Sequence, residues 1–338
     1  MARDQLEPLM RILVSEAIFR DYGDELLAAA PDATFVRLLP DGTVTDDGPV
    51  DIVFISNDIF YGPVKACMQI VVDTPQLAWL QSAAAGVEAP AFRTQLERGG
   101  RLTRAHVTAV PISEYVMQAV LASFQQPQRL AEQRAARVWQ HVPFREVWRT
   151  TWLIVGLGSI GREVAQRARA FDAHVIGVRR TPDGTEPVDE ILASDRMLDA
   201  VARADVVVIA AELNDGNRHL VDATFLAAMR PGSCFVNVAR GGLVDEAALL
   251  EALARDAPAS AVLDVFETEP LPRDSVWWTH PKVIMSPHSS GGGNGRLVRA
   301  TEVFLENLRR YRDGRELLYE VRLTDLPAQP TVWHVEKR

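Results

Sequence analysis

The sequence predicts an α/β protein built on two doubly wound parallel sheets, and two observations carry this prediction. Short apolar runs of strand length alternate with segments of helical periodicity along most of the chain, the pattern of parallel strands joined by crossover helices. The length of 338 residues matches two domains, at roughly 150 residues per domain.

The composition is that of an ordinary globular protein. Hydrophobic residues make up 47% of the chain and charged residues 24%, which excludes disorder as its main state. The formal net charge of −9 argues against a broad nucleic-acid or anionic-membrane surface. No apolar stretch approaches the ~18 residues of a membrane span, and charges interrupt the first residues where a secretory signal has its apolar core. A cytoplasmic protein is therefore expected.

The cysteines and histidines do not form a metal-binding pattern. Cys67 and Cys234 are far apart in apolar surroundings, which predicts buried free thiols rather than a disulfide framework or a thiolate metal site. The histidines other than His288 show no paired ligands at metal-binding spacing, so no metal is implied.

A small α/β unit is expected in the first hundred residues. Helical periodicity runs from Glu7 to Ala30, and Pro40-Asp41-Gly42 is a turn signal. Strands are expected over 33–39, 51–57 and 77–86. Apolar residues at helical spacing over 112–125 then predict a long helix that leads into a second domain.

A polar segment that contains tryptophan follows at 131–148. Exposed aromatic side chains on such a segment either cover a partner subunit or pack against their own domain. The sequence leaves both alternatives open.

The second α/β unit begins with an apolar run at 152–155 that leads into a glycine-rich turn. An amphipathic helix is expected over 160–171 and the next strand over 174–178. Further strands are expected over 204–211, 232–239, 259–266 and 282–287. The last predicted helix covers 296–314, with Gly314 as its stop signal. This order of elements is typical of a doubly wound parallel sheet.

The glycine-rich turn matches the dinucleotide-binding pattern G-x-G-x-x-G. The candidate cofactor-binding residues in it are Gly156, Leu157, Gly158, Ser159, Ile160 and Gly161. The pattern alone is weak, but here it follows a strand, opens a helix and is followed by a second strand at the expected distance. The first glycine permits the turn, the second lets backbone approach a pyrophosphate, and the third allows close helix–strand packing.

The end of the next strand favours NADP over NAD. Arg179, Arg180 and Thr181 follow Val178, where NAD sites usually carry an acid for the ribose hydroxyls, and the first acid is Asp183. Guanidinium groups bind a 2′-phosphate well. The alternative is that one arginine stacks on the adenine and the other is solvated, so NAD remains possible.

Three chemically versatile residues follow strand-like runs in the second unit: Arg240, Glu269 and His288. Ligands of open parallel sheets bind outside the carboxyl ends of the strands, which is where all three are expected. Taken one at a time, Arg240 could be a surface cation, Glu269 an acid in a turn and His288 a histidine in a loop, none with a catalytic role. Together, behind a dinucleotide motif, they point to catalysis.

These motifs resemble the D-isomer-specific 2-hydroxyacid dehydrogenase family over roughly Leu77 to Val321. The matching blocks are LAWLQSAAAGVE, ISEYVMQAVLA, WLIVGLGSIGREVA, ADVVVIAA, FVNVARGGLVDEAALLEAL, LDVFETEPLP and SPHSS. The resemblance implies two Rossmann-like domains with a cleft between them, and usually a homodimer. It also implies that a cofactor domain, 111–296, is inserted into a substrate domain made of 1–110 and 297–338.

The resemblance also implies roles for individual residues. Arg240 would bind the substrate carboxylate and carbonyl oxygen, and backbone N–H groups of Ala85 and Gly86 would complete the carboxylate site. His288 would protonate the developing alkoxide in reduction. Glu269 would orient the His288 side chain and favour its imidazolium form.

Two more residues are expected at the cofactor. Asp264 would hold the nicotinamide carboxamide, and Ala239 would join His288 in lining the cofactor site. Two features depart from the family pattern. Glu212 stands where a proline is frequent, and the run after His288, from Ser289 to Gly295, is unusually rich in glycine. That run is expected to be a hinge, a close approach to the nicotinamide, or a flexible loop.

The favoured function is an NADPH-dependent reductase of small 2-keto acids, with glyoxylate or hydroxypyruvate as the leading substrates. Phosphoglycerate dehydrogenase is less favoured, because many of these enzymes add a regulatory domain for which no sequence remains. Formate or phosphite oxidation is a smaller alternative. A redox-sensing dinucleotide-binding regulator of the same fold is the alternative from another class, disfavoured by the net charge of −9.

Overall fold

The computed structural model describes residues 10–84, 86–87 and 89–326. These residues form two compact units, and the chain passes from the first into the second and back. Described residues up to Val107 and from Asn294 onward form the first unit, and Thr108–Gly293 form the second. Each unit holds one parallel sheet, of five and seven strands respectively. No helix within these residues is long and apolar enough to cross a membrane.

The strands of both sheets are short, and most of them are buried. In chain order they are β1 (Arg11–Ser15), β2 (Thr34–Leu38), β3 (Ile52–Ile55), β4 (Trp79–Ser82), β5 (Arg101–Arg104), β6 (Thr151–Val155), β7 (His174–Val178), β8 (Glu190–Leu192), β9 (Val206–Ile209), β10 (Cys234–Asn237), β11 (Ser260–Leu263) and β12 (Val283–Met285). The spatial orders are β2-β1-β3-β4-β5 and β12-β11-β10-β9-β6-β7-β8. All strand pairs are parallel, which requires crossover connections.

Helices supply most of those crossovers and cover both faces of each sheet. In chain order they are α1 (Glu16–Ala29), α2 (Asn57–Phe60), α3 (Val64–Asp73), α4 (Pro90–Glu97), α5 (Ala109–Gln125), α6 (Pro127–Ala136), α7 (Ser159–Ala170), α8 (Met197–Val201), α9 (Ala223–Ala228), α10 (Glu246–Ala254) and α11 (Arg296–Arg312). In the second unit, α5 and α7 pack on the face that carries Trp152 and Ile154. Helices α8, α9 and α10 pack on the face of Leu153 and Val155. The prediction of two doubly wound parallel sheets is therefore confirmed.

The helix expected over 7–30 is wrong in its first half. Arg11–Ser15 is a strand, and the helix begins only at Glu16. Ile12, Leu13 and Val14 are fully buried because β1 lies between β2 and β3 with both faces covered. Such strands read as continuous apolar runs, which periodicity does not separate from a helix that follows directly. Ser15 marks the boundary, since its hydroxyl accepts the N–H of Ile18 at 3.1 Å and caps α1.

The segment expected at 131–148 packs against its own domain only near its end, where Val147 is buried in the core of the second unit and Arg145 pairs with Asp205. Helix α6 has no buried residue, Trp139 is fully exposed, and Phe144 and Trp148 are more than half exposed. Packing on its own domain is thus confirmed for the end of the segment, and cover of the exposed aromatic side chains by a partner stays a prediction.

Both cysteines are free and buried, as expected. Burial raises the pKa of the Cys67 thiol to about 12, so the reactive thiolate form is suppressed.

Candidate active site

The glycine-rich turn joins β6 to α7, and two of its glycines are required by close packing. Gly156 has a φ of +96°, and a Cβ there would lie 2.6 Å from the backbone nitrogen of Ala211. A Cβ on Gly161 would lie 1.9 Å from the carbonyl oxygen of Gly156. Around a Cβ on Gly158 there is no atom within 4 Å. The turn is therefore closed on the protein side and open in front of the α7 N-terminus, as a pyrophosphate site requires.

The other residues of the motif differ in where their side chains lie. Leu157 is buried, and its Cδ1 would lie 2.4 Å from a Cβ on Gly177 of β7. Its side chain therefore packs on the sheet, and only its backbone is available to a ligand. Ser159 and Ile160 begin α7 and are half-buried.

The two arginines after β7 have different environments. Arg179 Nη1 donates to Asp183 Oδ2 at 2.6 Å and to Glu186 Oε1 at 2.8 Å. Arg180 is exposed and makes no hydrogen bond or ion pair within the described residues, and the neighbouring Thr181 is exposed as well. Asp183 and Glu186 were not expected at this strand end, because in the sequence they stand after Pro182 in a turn-like stretch.

The three candidate catalytic residues follow three neighbouring strands. Arg240 lies after β10, Glu269 after β11 and His288 after β12, at the carboxyl edge of the same sheet. His288 Nδ1 lies 2.7 Å from Glu269 Oε2, and Glu269 Oε1 accepts the N–H of Phe266 at 2.9 Å. The structure thus brings Glu269 and His288 together through Nδ1. The other ring nitrogen of the half-exposed imidazole, Nε2, does not contact Glu269.

This contact changes the pKa values of both groups. The hydrogen bond to Glu269 raises the pKa of His288, and its effect exceeds that of burial, which lowers it. Burial alone would raise the pKa of Glu269, but hydrogen bonds from His288 and Phe266, with the charges of His288 and Arg240, lower it on balance. The contact therefore favours the pair of a carboxylate and an imidazolium over the separated neutral groups.

Arg240 is held at an exposed turn. Its Nη1 donates to the carbonyl oxygen of Ala239 at 2.7 Å, and no acid partners it within the described residues. Buried Asn237 closes the turn, donating to the carbonyl oxygen of Arg240 and accepting the N–H of Ala239, both at 3.1 Å. Gly241 permits this geometry, because a Cβ there would lie 1.9 Å from the carbonyl carbon of Phe266. Sequence reasoning missed Asn237, whose signal is a polar residue at the end of a buried strand.

Asp264 anchors the loop that carries His288. Its Oδ1 accepts hydrogen bonds from Ser286 Oγ at 2.5 Å, Ser289 N at 2.8 Å and Ser290 N at 3.0 Å. Its Oδ2 accepts one from Ser290 Oγ, and its carbonyl oxygen accepts the N–H of His288 at 2.8 Å. The expected contact with a nicotinamide carboxamide stays a prediction, since buried Asp264 already uses both carboxylate oxygens here. Ser286 and Ser290 are positioning residues that sequence reasoning missed.

The glycines after His288 have a packing reason. A Cβ on Gly293 would lie 2.6 Å from Cβ of Pro111, and one on Gly291 would lie 3.3 Å from Thr108. These contacts place the glycine-rich loop directly against the start of α5. Close packing, rather than looseness, accounts for glycine at both positions.

The remaining predicted positions lie apart from these contacts. Ala85 is outside the described residues, and Gly86 lies in irregular backbone after β4 in the first unit, so their role in carboxylate binding stays a prediction. Ala239 is buried, with its carbonyl oxygen engaged by Arg240. Glu212, which stands where a proline is frequent in the family, has an exposed side chain.

Comparison with known proteins gives consistent matches. The family model for the NAD binding domain of D-isomer specific 2-hydroxyacid dehydrogenases matches residues 117–290. A (S)-sulfolactate dehydrogenase of Chromohalobacter salexigens is 33% identical over 60% of this chain and 66% of its own length. A D-3-phosphoglycerate dehydrogenase of Methanocaldococcus jannaschii is 28% identical over 78% of this chain, which spans about half (51%) of that relative. A D-isomer specific 2-hydroxyacid dehydrogenase of Xanthobacter autotrophicus, solved with NADPH and MES, is 27% identical with a TM-score of 0.72, covering 94% of this chain and 99% of that one.

Proposed function

The chain belongs to the D-isomer specific 2-hydroxyacid dehydrogenase family, and from this premise we propose that it reduces small 2-keto acids to D-2-hydroxy acids with a nicotinamide dinucleotide. The observation that carries the proposal is the contact between His288 Nδ1 and Glu269 Oε2 at 2.7 Å, within reach of the charge of Arg240. Thr108–Gly293 then serve as the cofactor domain, inserted into a substrate domain formed by the other unit.

The glycine turn fits a dinucleotide. The open side of Gly158 lies in front of the α7 N-terminus, where backbone N–H groups suit a pyrophosphate. When bound, the dinucleotide supplies the hydride. NADPH is the preferred cofactor, because exposed Arg180 and Thr181 at the end of β7 offer a cation and a hydroxyl to a 2′-phosphate. The Xanthobacter relative that binds NADPH supports this preference.

The protein side chains divide the rest of the chemistry. The planar guanidinium of Arg240, which no acid of the described chain neutralises, binds the substrate carboxylate and polarises its carbonyl oxygen. His288 then delivers a proton from Nε2 to the oxygen as negative charge develops on it. Glu269 orients the imidazole through Nδ1 and favours its protonated form.

The leading substrates are glyoxylate and hydroxypyruvate, and loss of reduced-nicotinamide absorbance tests them directly. NADPH and then NADH are offered with glyoxylate, hydroxypyruvate, pyruvate and a bulkier 2-keto acid. Sulfolactate and D-3-phosphoglycerate are offered with the oxidised cofactors, since relatives carry those names. We expect faster oxidation of NADPH than of NADH with a small 2-keto acid. Silence with every substrate contradicts the proposed function.

The rate should depend on pH through His288. Its pKa is raised by Glu269 above the ordinary value, which is about 6.5, so the protonated imidazole persists to higher pH. Reduction needs that proton, and kcat/KM for reduction should fall as pH rises through the raised pKa. Oxidation should increase over the same range. Glu269→Gln removes the carboxylate charge and should move both inflections to lower pH. Unmoved inflections would show that Glu269 does not control the proton.

We also propose a homodimer in which a second subunit covers the exposed aromatic side chains of the segment 131–148. Within the described residues, helix α6 has no buried residue and Trp139 is fully exposed, and burial of such aromatic surface stabilises interfaces. The double variant Trp139→Ala/Phe144→Ala should weaken dimerisation at least about tenfold, measured by light scattering over a dilution series. Leu198→Ala, at another exposed apolar residue, is the control that should leave the dimer intact. A monomeric wild-type protein would contradict this prediction.

A further inference from the structure

We propose that Asp183 and Glu186 are specificity-determining residues that limit the chain's preference for a 2′-phosphorylated dinucleotide by neutralising Arg179. This inference rests on the proposed function and deepens it. It assigns contact with the 2′-phosphate to Arg180 and Thr181, whereas Arg179 pairs with the two acids. The expected result is a cofactor preference that increases when the acids are removed.

The acids and arginines form a compact cluster at the end of β7. Asp183 Oδ2 lies 2.6 Å and Glu186 Oε1 2.8 Å from the same nitrogen, Nη1 of Arg179. Arg162, from the first turn of α7, adds a second guanidinium: its Nη2 lies 2.7 Å from Asp183 and 3.8 Å from Glu186. Two positive and two negative side chains therefore balance beside the glycine turn.

The cluster is fixed by further contacts. Glu186 Oε1 also accepts the N–H of Asp183 at 2.8 Å, and only 3% of the Glu186 side chain is exposed. Asp183 Oδ1 accepts both the N–H and the hydroxyl of Thr185. Arg162 donates to the carbonyl oxygens of Leu157 and Thr185 at 3.2 and 2.9 Å, which ties the cluster to the glycine turn itself.

Both acids are ionised at neutral pH. Hydrogen bonds from Thr185, followed by one from Arg179, lower the pKa of Asp183. The N–H of Asp183 lowers the pKa of Glu186, and Arg179 adds to the effect. The negative charges are therefore present under the conditions in which a nucleotide binds.

A 2′-phosphate carries close to two negative charges at pH 7 and is attracted by unneutralised cations. Beside Arg179 it would meet two carboxylates that already occupy the same guanidinium nitrogen. Arg180, with no acid partner in the described chain, is the cation that remains for it. The acids thus remove most of the attraction that a pair of adjacent arginines would otherwise give. Binding of an adenosine that has no 2′-phosphate should not depend on this charge balance.

The test uses two probes that differ only in the 2′-phosphate, adenosine 2′,5′-bisphosphate and 5′-AMP, titrated by calorimetry. Asp183→Asn should strengthen binding of the bisphosphate about tenfold, and Asp183→Asn/Glu186→Gln should strengthen it further, as expected for removal of like charges near a phosphate. Affinity for 5′-AMP should stay within about twofold of wild type. Arg180→Ala should bring the bisphosphate close to the affinity of 5′-AMP.

A matched control separates local from general charge effects. Asp199→Asn removes the same charge from another ion pair of the second unit, with Arg196, and should leave both affinities unchanged. Asp183 is nearly half exposed, so Asp183→Asn carries the test even if the variant at buried Glu186 fails to fold.

The possible failures are distinguishable. If wild-type protein binds both probes and Asp183→Asn leaves their affinity ratio unchanged or lowers it, the inference is overturned while the proposed function stands. A lowered ratio would mean that the acids position Arg179 as a phosphate ligand. If wild-type protein binds neither probe, the dinucleotide site is refuted and the inference with it.

Discussion

Replacing His288 with asparagine is expected to lower turnover by about two to four orders of magnitude while dinucleotide affinity stays close to that of the wild type. In the proposed mechanism, the variant removes the group that gives and takes the proton at the substrate oxygen. Steady-state absorbance assays measure the loss, and titration of the reduced cofactor by fluorescence measures binding. Turnover near the wild-type level would remove His288 from the mechanism.

Asparagine is the informative substitution at this position. His288 has a φ of +50°, and asparagine adopts this left-handed region more readily than most residues. The loop backbone and its anchor on Asp264 are therefore expected to persist in the variant. Loss of activity then reports on the imidazole rather than on strain. An unchanged melting temperature is the check on this reasoning.

Gly161→Ala should destabilise the second unit and abolish dinucleotide binding. The added Cβ would lie 1.9 Å from the carbonyl oxygen of Gly156, a backbone atom that moves only if the turn moves. Overpacking of this kind costs about 1–3 kcal/mol or more, a decrease of roughly 3–10 °C in melting temperature for a domain of this size. Calorimetric unfolding with and without NADPH measures both effects.

Gly158→Ala is the matched comparison in the same turn. Its Cβ would meet no atom within 4 Å, so the fold and the melting temperature should stay close to wild type. NADPH affinity should still fall, because the methyl group occupies the space through which the pyrophosphate approaches the backbone. If both variants melt alike, the packing argument for Gly161 is wrong.

The sequence was sufficient to locate the candidate site residues where titratable or charged side chains directly follow apolar strands. Glu269 and His288 are 19 residues apart in the chain, yet parallel strands bring their carboxyl ends to one edge, as topology predicts. The pairing of the two side chains was expected from the family resemblance. The glycine motif was equally readable, since close approach of backbone to backbone at Gly156 and Gly161 excludes every side chain. The glycine prediction depends on a feature that the local sequence encodes directly.

Other features depend on long-range contacts that no local pattern carries. Strand β1 was read as part of a helix because burial on both faces removes the alternation that distinguishes a strand. Edge strands β5 and β8 were missed because RLTR and EIL are short and contain polar or charged residues, which interrupt the apolar run that marks a buried strand. The return of Asp183 and Glu186 onto Arg179 depends on the path of a turn, which residue types alone do not specify.

The hydrogen bonds that hold the His288 loop on Asp264 determine when this loop becomes ordered. The hydrogen bonds to Asp264 form within the folded chain and involve no substrate atom. The loop backbone that carries the imidazole is therefore ordered once, during folding, and in the proposed mechanism its conformational entropy is not lost again in each catalytic cycle. Such preorganisation keeps the reorganisation needed at the moment of proton transfer small.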